Sequence, residues 1–510
     1  MKKILAGLLA ACLLLAAAYA GGAWYIGKEV EAVIGEPYRQ IEAMPYVKIL
    51  KREYRRGVFT SEEKVTFELF GNIMRFLAES GRQAANRNPD SKQLPAEFLK
   101  PIRLTAISHI RHGPLSAGSS LVAAVVDTDL DVEERFKPAL AKVIGERKIV
   151  NVHTIYRYDG SGDSVISSPA FTTEFASGKS GQPVKFSWKG VNATLNFTGD
   201  LASYALRGEA PGLEAADNTT RVVVSGIRVE ADNRRVFEDE PLFVAGRQKF
   251  SIGEALAEGI ADGGATLKQL SYEANTTVND GFADIVARIG VQQAAFARQD
   301  YGPAHYDITI KHLHARTFAQ LNRAMLDMYA DPEAVAAGTR NPAAMMEPFV
   351  KPIQQLLERN PELLLDRVSF NTPHGAVLVS GHARLVDVKA EDFKEPAALM
   401  AKLDAQADLS LPESLVMAML GMKSDPQEAM EAQLQRHRQQ IAKLEEQGYA
   451  QRDGAVLHSR LAFRNGEFAV NDQPFNPAAL ASPLPAVKTA PPGRARAQPE
   501  RERRQFQPSQ

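Results

Sequence analysis

The chain has almost no cysteine. Among its 510 residues only Cys12 carries a thiol. No disulfide can form within one chain, and no cysteine cluster can bind zinc or an iron–sulfur centre. The fold must therefore reach its stability without covalent cross-links.

An excess of charge of either sign is also missing. The 60 Lys and Arg residues balance 61 Asp and Glu residues, for a formal net charge of -1. A nucleic-acid-binding protein would show a basic excess or stripe, so we expect no nucleic-acid partner. The hydrophobic fraction of 45% is that of a globular protein. No apolar run beyond the N-terminus approaches 18 residues, which excludes a polytopic membrane protein.

Complete catalytic and cofactor motifs are absent as well. Gly178-Lys179-Ser180 resembles the end of a phosphate-binding loop, but Thr173 occupies the place of the first glycine that such a loop requires. Neither a Gly-x-Ser-x-Gly nor a His-Glu-x-x-His string occurs. We therefore assign no catalytic residue and no cofactor.

Two groups of residues suggest a metal site only weakly. Asp127, Asp129 and Asp131 are spaced like calcium ligands, but the turn glycine and the bidentate glutamate of a calcium loop are missing, which favours a solvated strand face. The best zinc or copper candidates are His305, Asp307, His312 and His314. Exposed strand histidines explain this second group more simply, and we assign no metal ligand.

What the sequence does contain is an N-terminal export segment. Lys2-Lys3 precede an uncharged run from Ile4 to Ile26, and Lys28 follows it. At about 1.5 Å per residue the run reaches roughly 34 Å, enough for a hydrocarbon core of about 30 Å. Trp24 and Tyr25 fall where interfacial aromatic residues sit. We predict a membrane anchor that includes Ile4, Trp24, Tyr25 and Ile26.

Two alternatives to this anchor remain open. Ala18-Tyr19-Ala20 is a small-x-small site that allows cleavage before Gly21. Leu9-Ala10-Ala11-Cys12 fits a lipoprotein box, but its apolar core is short and an apolar run follows the cysteine. Anchor and cleavage both predict that the rest of the chain lies in the periplasm, bound to the inner membrane by one span or soluble after cleavage.

The body of the chain is dominated by alternating, strand-like segments. Runs such as 121–126, 149–158, 185–197, 221–229 and 271–278 are separated by Gly, Asn and Asp. Helices are predicted at 315–329 and 426–447, the second with Pro426 in its first turn and Gly448 after its end. The pattern lacks regular βαβ alternation, so we predict an α+β, mainly antiparallel β fold with an elongated body.

These features predict three regions along the chain. Residues 1–28 are the anchor or signal peptide, 29–481 the β-rich body, with a break between two subdomains near 315–360, and 482–510 a tail. The tail is rich in Pro and Arg and poor in apolar residues, so it is predicted to be disordered.

Four strings resemble one family in their order and rough spacing. They are Gly21 to Lys28, Tyr54 to Ser61, His112-Gly113-Pro114 and Arg464 to Glu467. The set resembles the YdgA-like proteins, a family of unknown function from Gram-negative envelopes, over about residues 1 to 477. The resemblance implies a periplasmic protein anchored at its N-terminus, with dimers suggested for some members. It supplies no catalytic residue.

The leading functional hypothesis is a non-enzymatic envelope protein. It would bind another envelope component, associate with itself as a homodimer, or contact lipid along an apolar sheet face, which predicts a continuous apolar groove. The alternative is a periplasmic hydrolase or metal-dependent enzyme, which needs convergent side chains that sequence order cannot reveal. A third hypothesis is an assembly scaffold that acts through the 426–447 helix.

Overall fold

A computed structural model gives the fold of the chain. It describes residues 2–42, 44, 47–71, 74, 100–113, 121–134, 137–138, 141, 145, 148–176, 183–259, 264–296, 299–330, 342–421 and 430–475. Residues 482–510, the predicted tail, lie outside this set.

Six α-helices are described. They are α1 (Lys2–Glu42), α2 (Ala315–Ala330), α3 (Pro342–Leu357), α4 (Pro396–Ala401), α5 (Glu413–Gly421) and α6 (Met430–Glu446). The predicted helix at 315–329 is α2, and its apolar face places Phe318 and Leu321 against the sheet. Helix α6 matches the helix predicted up to Gln447, and Gly448 follows it with a φ of +76° that favours glycine.

Strands form most of the described chain. The first twelve are β1 (Val47–Arg56), β2 (Thr60–Leu69), β3 (Ile102–His112), β4 (Ala124–Val132), β5 (Asn151–Tyr156), β6 (Gly162–Ser168), β7 (Phe171–Ala176), β8 (Pro183–Trp188), β9 (Val191–Phe197), β10 (Ser203–Ala216), β11 (Arg221–Phe237) and β12 (Glu240–Glu258). The remaining twelve are β13 (Ala265–Asn279), β14 (Phe282–Val291), β15 (Gln293–Phe296), β16 (Gln299–Tyr301), β17 (Ala304–His314), β18 (Glu362–Thr372), β19 (Gly375–Leu385), β20 (Leu403–Pro412), β21 (Gln451–Asp453), β22 (Val456–Arg464), β23 (Glu467–Val470) and β24 (Gln473–Pro474).

The 24 strands form one antiparallel sheet. Its main path runs from β1 to β6, through β9 to β14, and then through β17 to β20 and on to β22, β23 and β24. Short side strands extend some members: β8 continues beside β10, and β15 beside β13. Neighbours in sequence are mostly neighbours in space, as expected where short turns join antiparallel strands.

Buried apolar side chains gather in two clusters. The first places Val30 and Ile34 of α1 on Ile110, Val126 and Tyr156 of the sheet. A second cluster packs α2 and Leu356 of α3 onto Phe243, Ala283 and Leu313. The first cluster draws on β1, β3, β4, β5 and β9 and the second on β11 to β14 and β17, so the two clusters lie at separate places along the sheet.

The predicted fold class is confirmed: the protein is mainly antiparallel β with a few helices. Among residues whose side chains are described, no helix has both the length and the apolar character needed to cross a membrane. The three predicted regions and the break near 315–360 stay predictions.

Candidate functional site

One surface of the sheet carries a row of apolar side chains across eight strands. From β11 to β20 its members are direct cross-strand partners: Val229, Phe250, Tyr272, Ile289, Tyr306, Val368, Val379 and Leu409. Phe250, Tyr272, Ile289 and Tyr306 are 36% to 46% exposed. We call this surface the apolar face.

A second row runs beside the first on the same face. It consists of Leu206, Ala231, Gln248, Ala274, Ala287, Ile308, Leu365, Gly381, Ala407 and Leu461, in which only Gln248 is polar. Toward the C-terminal strands a cavity of about 370 Å³ lies on this face, lined mainly by apolar residues that include Tyr306, Leu365 and Phe463. Its size and lining are those of a site for an apolar ligand.

The opposite surface, the charged face, carries side chains of alternating sign. Glu230, Lys249, Glu273, Arg288, Asp307 and Arg367 are successive cross-strand partners. The guanidinium of Arg367 donates from Nε and Nη2 to Oδ2 of Asp307 at 2.9 and 2.8 Å. Opposite charges in register stabilise a pair of strands, so this row needs no ligand to explain it, although a polar cavity of about 500 Å³ lies along it.

Polar groups border the apolar face near the turns that join β9 to β10 and β11 to β12. Tyr204 and Asn233 lie side by side there, and Nδ2 of Asn233 donates to the Tyr204 hydroxyl at 2.8 Å. Asn233 is 6% exposed, and its Oδ1 lacks a hydrogen-bond partner within the described chain. Both residues line an open cavity of about 780 Å³. An apolar ligand on the adjoining rows would thus meet amide and hydroxyl groups at this border.

At its N-terminal end the apolar face is covered by helix α1. From Leu195 the second row passes through the hydrogen-bonded polar pair Ser164 and Thr154. It then reaches Val126 and Ile110, which belong to the core cluster that includes α1. Val30 and Ile34 of the helix are 3% and 6% exposed. Helix α1 therefore fills one end of this face, whereas Phe250, Tyr272, Ile289 and Tyr306 of the first row are exposed and its other members are of intermediate exposure.

Helix α1 is joined to the sheet through His112. Its Nδ1 lies 3.0 Å from the Ala23 carbonyl oxygen, and its Nε2 lies 2.9 Å from Oγ of Ser61. A carbonyl can only accept, so Nδ1 donates and Nε2 of the neutral ring accepts from the Ser61 hydroxyl. Burial lowers the pKa of His112, which favours this neutral form.

The contact of Ser61 with His112 resembles that of a nucleophile with its base, but both side chains are shielded from solvent. Ser61 and His112 are 6% and 3% exposed. The orienting partner of the imidazole is a helix carbonyl, and no cavity found among the described residues is lined by either side chain. A hydrolase needs a reacting carbon within reach of the hydroxyl, so this geometry indicates a structural junction.

A buried carboxylate lies farther along the interface between α1 and the sheet. Glu63 is fully buried and accepts from the Tyr38 hydroxyl at 2.8 Å and from Nε of Arg52 at 2.7 Å. Burial, followed by the charge of Glu63, raises the pKa of Tyr38. Sequence reasoning missed this residue, although the alternation of Ser61, Glu63 and Val65 places Glu63 on the inward face.

Three of the four predicted anchor residues lie in the part of α1 that runs along the sheet. Trp24 and Tyr25 are 48% and 59% exposed, whereas Ile26 packs against the first core cluster. The guanidinium of Arg56 lies over the Trp24 ring, 5.3 Å from its centroid, which is within the range of a cation–π contact. Ile4 belongs to the helix, but its side chain lies outside the described set.

The metal candidates converge only in part: His305 and Asp307 line the same cavity on the charged face, and His312 and His314 do not line it. His312 stacks on Phe282 and pairs through Nδ1 with the Arg359 carbonyl, while Nδ1 of His314 pairs with the Thr317 hydroxyl. Asp307 is held by Arg367 on the charged face. Within the described chain no group of three or more His, Cys, Asp or Glu residues could hold a metal ion.

Comparison with known protein families decides the relationship of the chain. The model of one family, a bacterial protein of unknown function (DUF945), matches residues 1–478. The chain belongs to this family. No curated protein and no solved structure matches it.

Three of the four resemblance strings of this DUF945 chain meet in the structure. Gly27 lies against the imidazole of His112, and a Cβ at position 27 would be 2.5 Å from Cε1 of the ring. Tyr19, just before the first string, stacks on Phe59 of the second at 5.7 Å. Three separate parts of the sequence thus build one helix–sheet junction.

Proposed function

We propose that this DUF945 protein is a YdgA-like, non-enzymatic envelope protein that binds lipid acyl chains on its apolar face. The N-terminal segment anchors it in the bacterial inner membrane, and the β-rich body lies in the periplasm. The observation that carries the proposal is the row from Val229 to Leu409, whose apolar members are cross-strand partners over eight strands and of which four consecutive members, Phe250, Tyr272, Ile289 and Tyr306, are exposed.

Two features support acyl chains as the occupant. Monomeric soluble proteins seldom leave a long contiguous apolar surface in water, and helix α1 already covers the first part of this face with aliphatic side chains. That helix begins in the uncharged run that we expect to lie in the membrane. The face is therefore continuous with the segment that connects it to a source of lipid.

The enzymatic alternative has less support. The nearest arrangement to a nucleophile and base, Ser61 with His112, is buried beneath α1. A homodimer formed over the apolar face would also hide it, and this outcome is separated from lipid binding by the experiment below.

The test is lipid retention by the full-length protein. It is extracted from membranes in mild detergent, purified, and its bound lipids are quantified by mass spectrometry. Phe250→Asp places a carboxylate on the apolar face, and Ser251→Asp places the same group one residue away, on the charged face opposite Arg228. We expect wild type and Ser251→Asp to retain acyl lipid, and Phe250→Asp to lose most of it.

Absence of lipid from the wild type, or equal loss in both variants, would overturn the proposal. Size-exclusion chromatography with light scattering of the same samples examines the dimer. A wild type that is dimeric and free of lipid, with Phe250→Asp monomeric, would assign the apolar face to self-association instead.

A further inference from the structure

One edge of the sheet carries exposed apolar side chains at the tips of adjacent turns. They are Val58 and Phe59 between β1 and β2, Leu121 before β4, and Tyr158 between β5 and β6, at 46%, 45%, 72% and 55% exposure. We call this the α1 edge. Exposed residues of this size are ordinary when scattered singly, but four on neighbouring turns form a patch.

Backbone hydrogen bonds place these turns side by side. The amide of His112 donates to the Phe59 carbonyl at 2.9 Å, and that of Gly113 to the Ala123 carbonyl at 3.2 Å. Ala123 in turn donates to the Tyr156 carbonyl at 2.9 Å. The tips therefore project from one continuous border of the sheet.

Helix α1 leaves the sheet across this same border. Tyr19 stacks on Phe59, and Tyr38 lies over Phe67 with ring centroids 6.2 Å apart, so the helix runs along β2 in the direction of that strand. The helical backbone begins at Lys2, and the stretch before Tyr19 continues beyond the α1 edge by about 25 Å at about 1.5 Å per residue. This is close to the hydrocarbon thickness of a bilayer.

Cationic side chains stand directly behind the apolar tips. Arg55, Arg111 and Arg157 occupy the strand ends or turns at this edge, and the side chains of Arg111 and Arg157 are 54% and 50% exposed while pairing with Asp127 and Asp163. Aromatic and aliphatic tips backed by arginine are suited to the interface of a bilayer, where rings sit at the headgroup level and cations near the phosphates.

We propose that the α1 edge is a second membrane contact, in which Val58, Phe59, Leu121 and Tyr158 enter the outer headgroup region of the bilayer that holds the N-terminal helix. The proposal rests on the anchoring in the proposed function and adds to it the orientation of the sheet. The occupant is the lipid surface, because the segment that leaves this edge, before Tyr19, contains the first part of the uncharged run.

The test uses brominated lipids as a contact-dependent quencher. Full-length protein that carries Trp24→Phe and Trp188→Phe, and so no native tryptophan, is reconstituted into phosphatidylethanolamine–phosphatidylglycerol vesicles with or without brominated acyl chains. Phe59→Trp or Leu121→Trp reports on the α1 edge. Phe296→Trp is the matched control, because Phe296 is 52% exposed on β15, far along the sheet from this edge.

We expect the brominated lipid to quench the tryptophan from Phe59→Trp and from Leu121→Trp several-fold more strongly than that from Phe296→Trp. Flotation of the same samples separates the two proposals. Protein that fails to float with the vesicles contradicts the anchoring itself. Protein that floats but shows equal quenching at all three positions overturns the α1 edge contact alone.

Discussion

At the scale of single residues, His112 controls how helix α1 meets the sheet. Because burial lowers its pKa, the unfolded chain takes up a proton before the folded one does as the pH falls. Folded-state stability from this group is full above about pH 6.5, the ordinary histidine value, and is lost below it.

We therefore expect the wild type to lose stability as the pH falls below about 6.5 by a contribution that His112→Asn lacks. Chemical denaturation at several pH values, followed by the fluorescence of Trp24 beside the junction, measures it. Other carboxylates and histidines titrate in both proteins, so the difference between the two curves is the quantity that matters. Parallel curves would contradict a pH-sensitive junction.

Substitution of Gly27 tests the same junction through steric fit rather than through protonation of His112. In an exposed helix position, alanine is more stable than glycine by about 1 kcal/mol. Here the added Cβ would meet the buried imidazole of His112, so we expect Gly27→Ala to lower the free energy of unfolding by about 1–3 kcal/mol. Gly22→Ala is the control, because nothing lies within 4 Å of its Cβ position. It should be neutral or slightly stabilising in the same denaturant titration.

At the scale of elements, the charged face holds neighbouring strands in register. Asp307 on β17 is 9% exposed and accepts two hydrogen bonds from Arg367 on β18. We expect Asp307→Ala to cost about 1–3 kcal/mol, because it removes charge-assisted hydrogen bonds from a buried position. Arg367 is half exposed and can be rehydrated, which keeps the cost below that of a fully buried pair.

A more exposed ion pair, formed by Glu273 of the same row, is the control for Asp307. Glu273 on β13 pairs with Arg247, whose side chain is 54% exposed. Glu273→Ala should change the free energy of unfolding by about 1 kcal/mol or less, because water screens and replaces the interaction. Equal losses in the two variants would mean that burial does not decide the strength of these pairs.

Local pattern was enough to predict most elements, because strand alternation and helix ends are written in neighbouring residues. The helix at 315–329 and the helix end before Gly448 are where local signals placed them. The apolar face could be predicted only as a possibility. Tyr272 and Tyr306 belong to one row because each is a cross-strand partner of Ile289. This register depends on which strands pair and on bulges such as the one between Asp307 and Ile308.

The helix–sheet junction illustrates the same limit. The sequence suggests that His112-Gly113 ends a strand, which it does at His112. Its contact with Ala23, 89 residues away, has no local signal. The residues from Glu29 onward are predicted as a helix or helical linker, but the sequence alone does not reveal that Val30 and Ile34 of this helix pack on the sheet.

At the scale of the whole molecule, the sheet connects two separate cores. Val30, Ile110 and Tyr156 belong to one, and Phe243, Leu313 and Leu356 to the other. Each strand contacts chiefly its immediate neighbours, so stability is distributed along the sheet as in repeat proteins, where local units can open separately. A protein with one common core would unfold as a unit.

This arrangement predicts that the two core clusters respond to mutation independently. Ile110→Ala and Leu313→Ala each remove a buried side chain, 1% and 6% exposed, and each should cost about 2–5 kcal/mol. Hydrogen exchange followed by mass spectrometry should show Ile110→Ala raising exchange in β2 to β6 with little change in β14 and β17, and Leu313→Ala the reverse. If either variant raised exchange to the same extent around both clusters, the sheet would transmit stability as one cooperative unit.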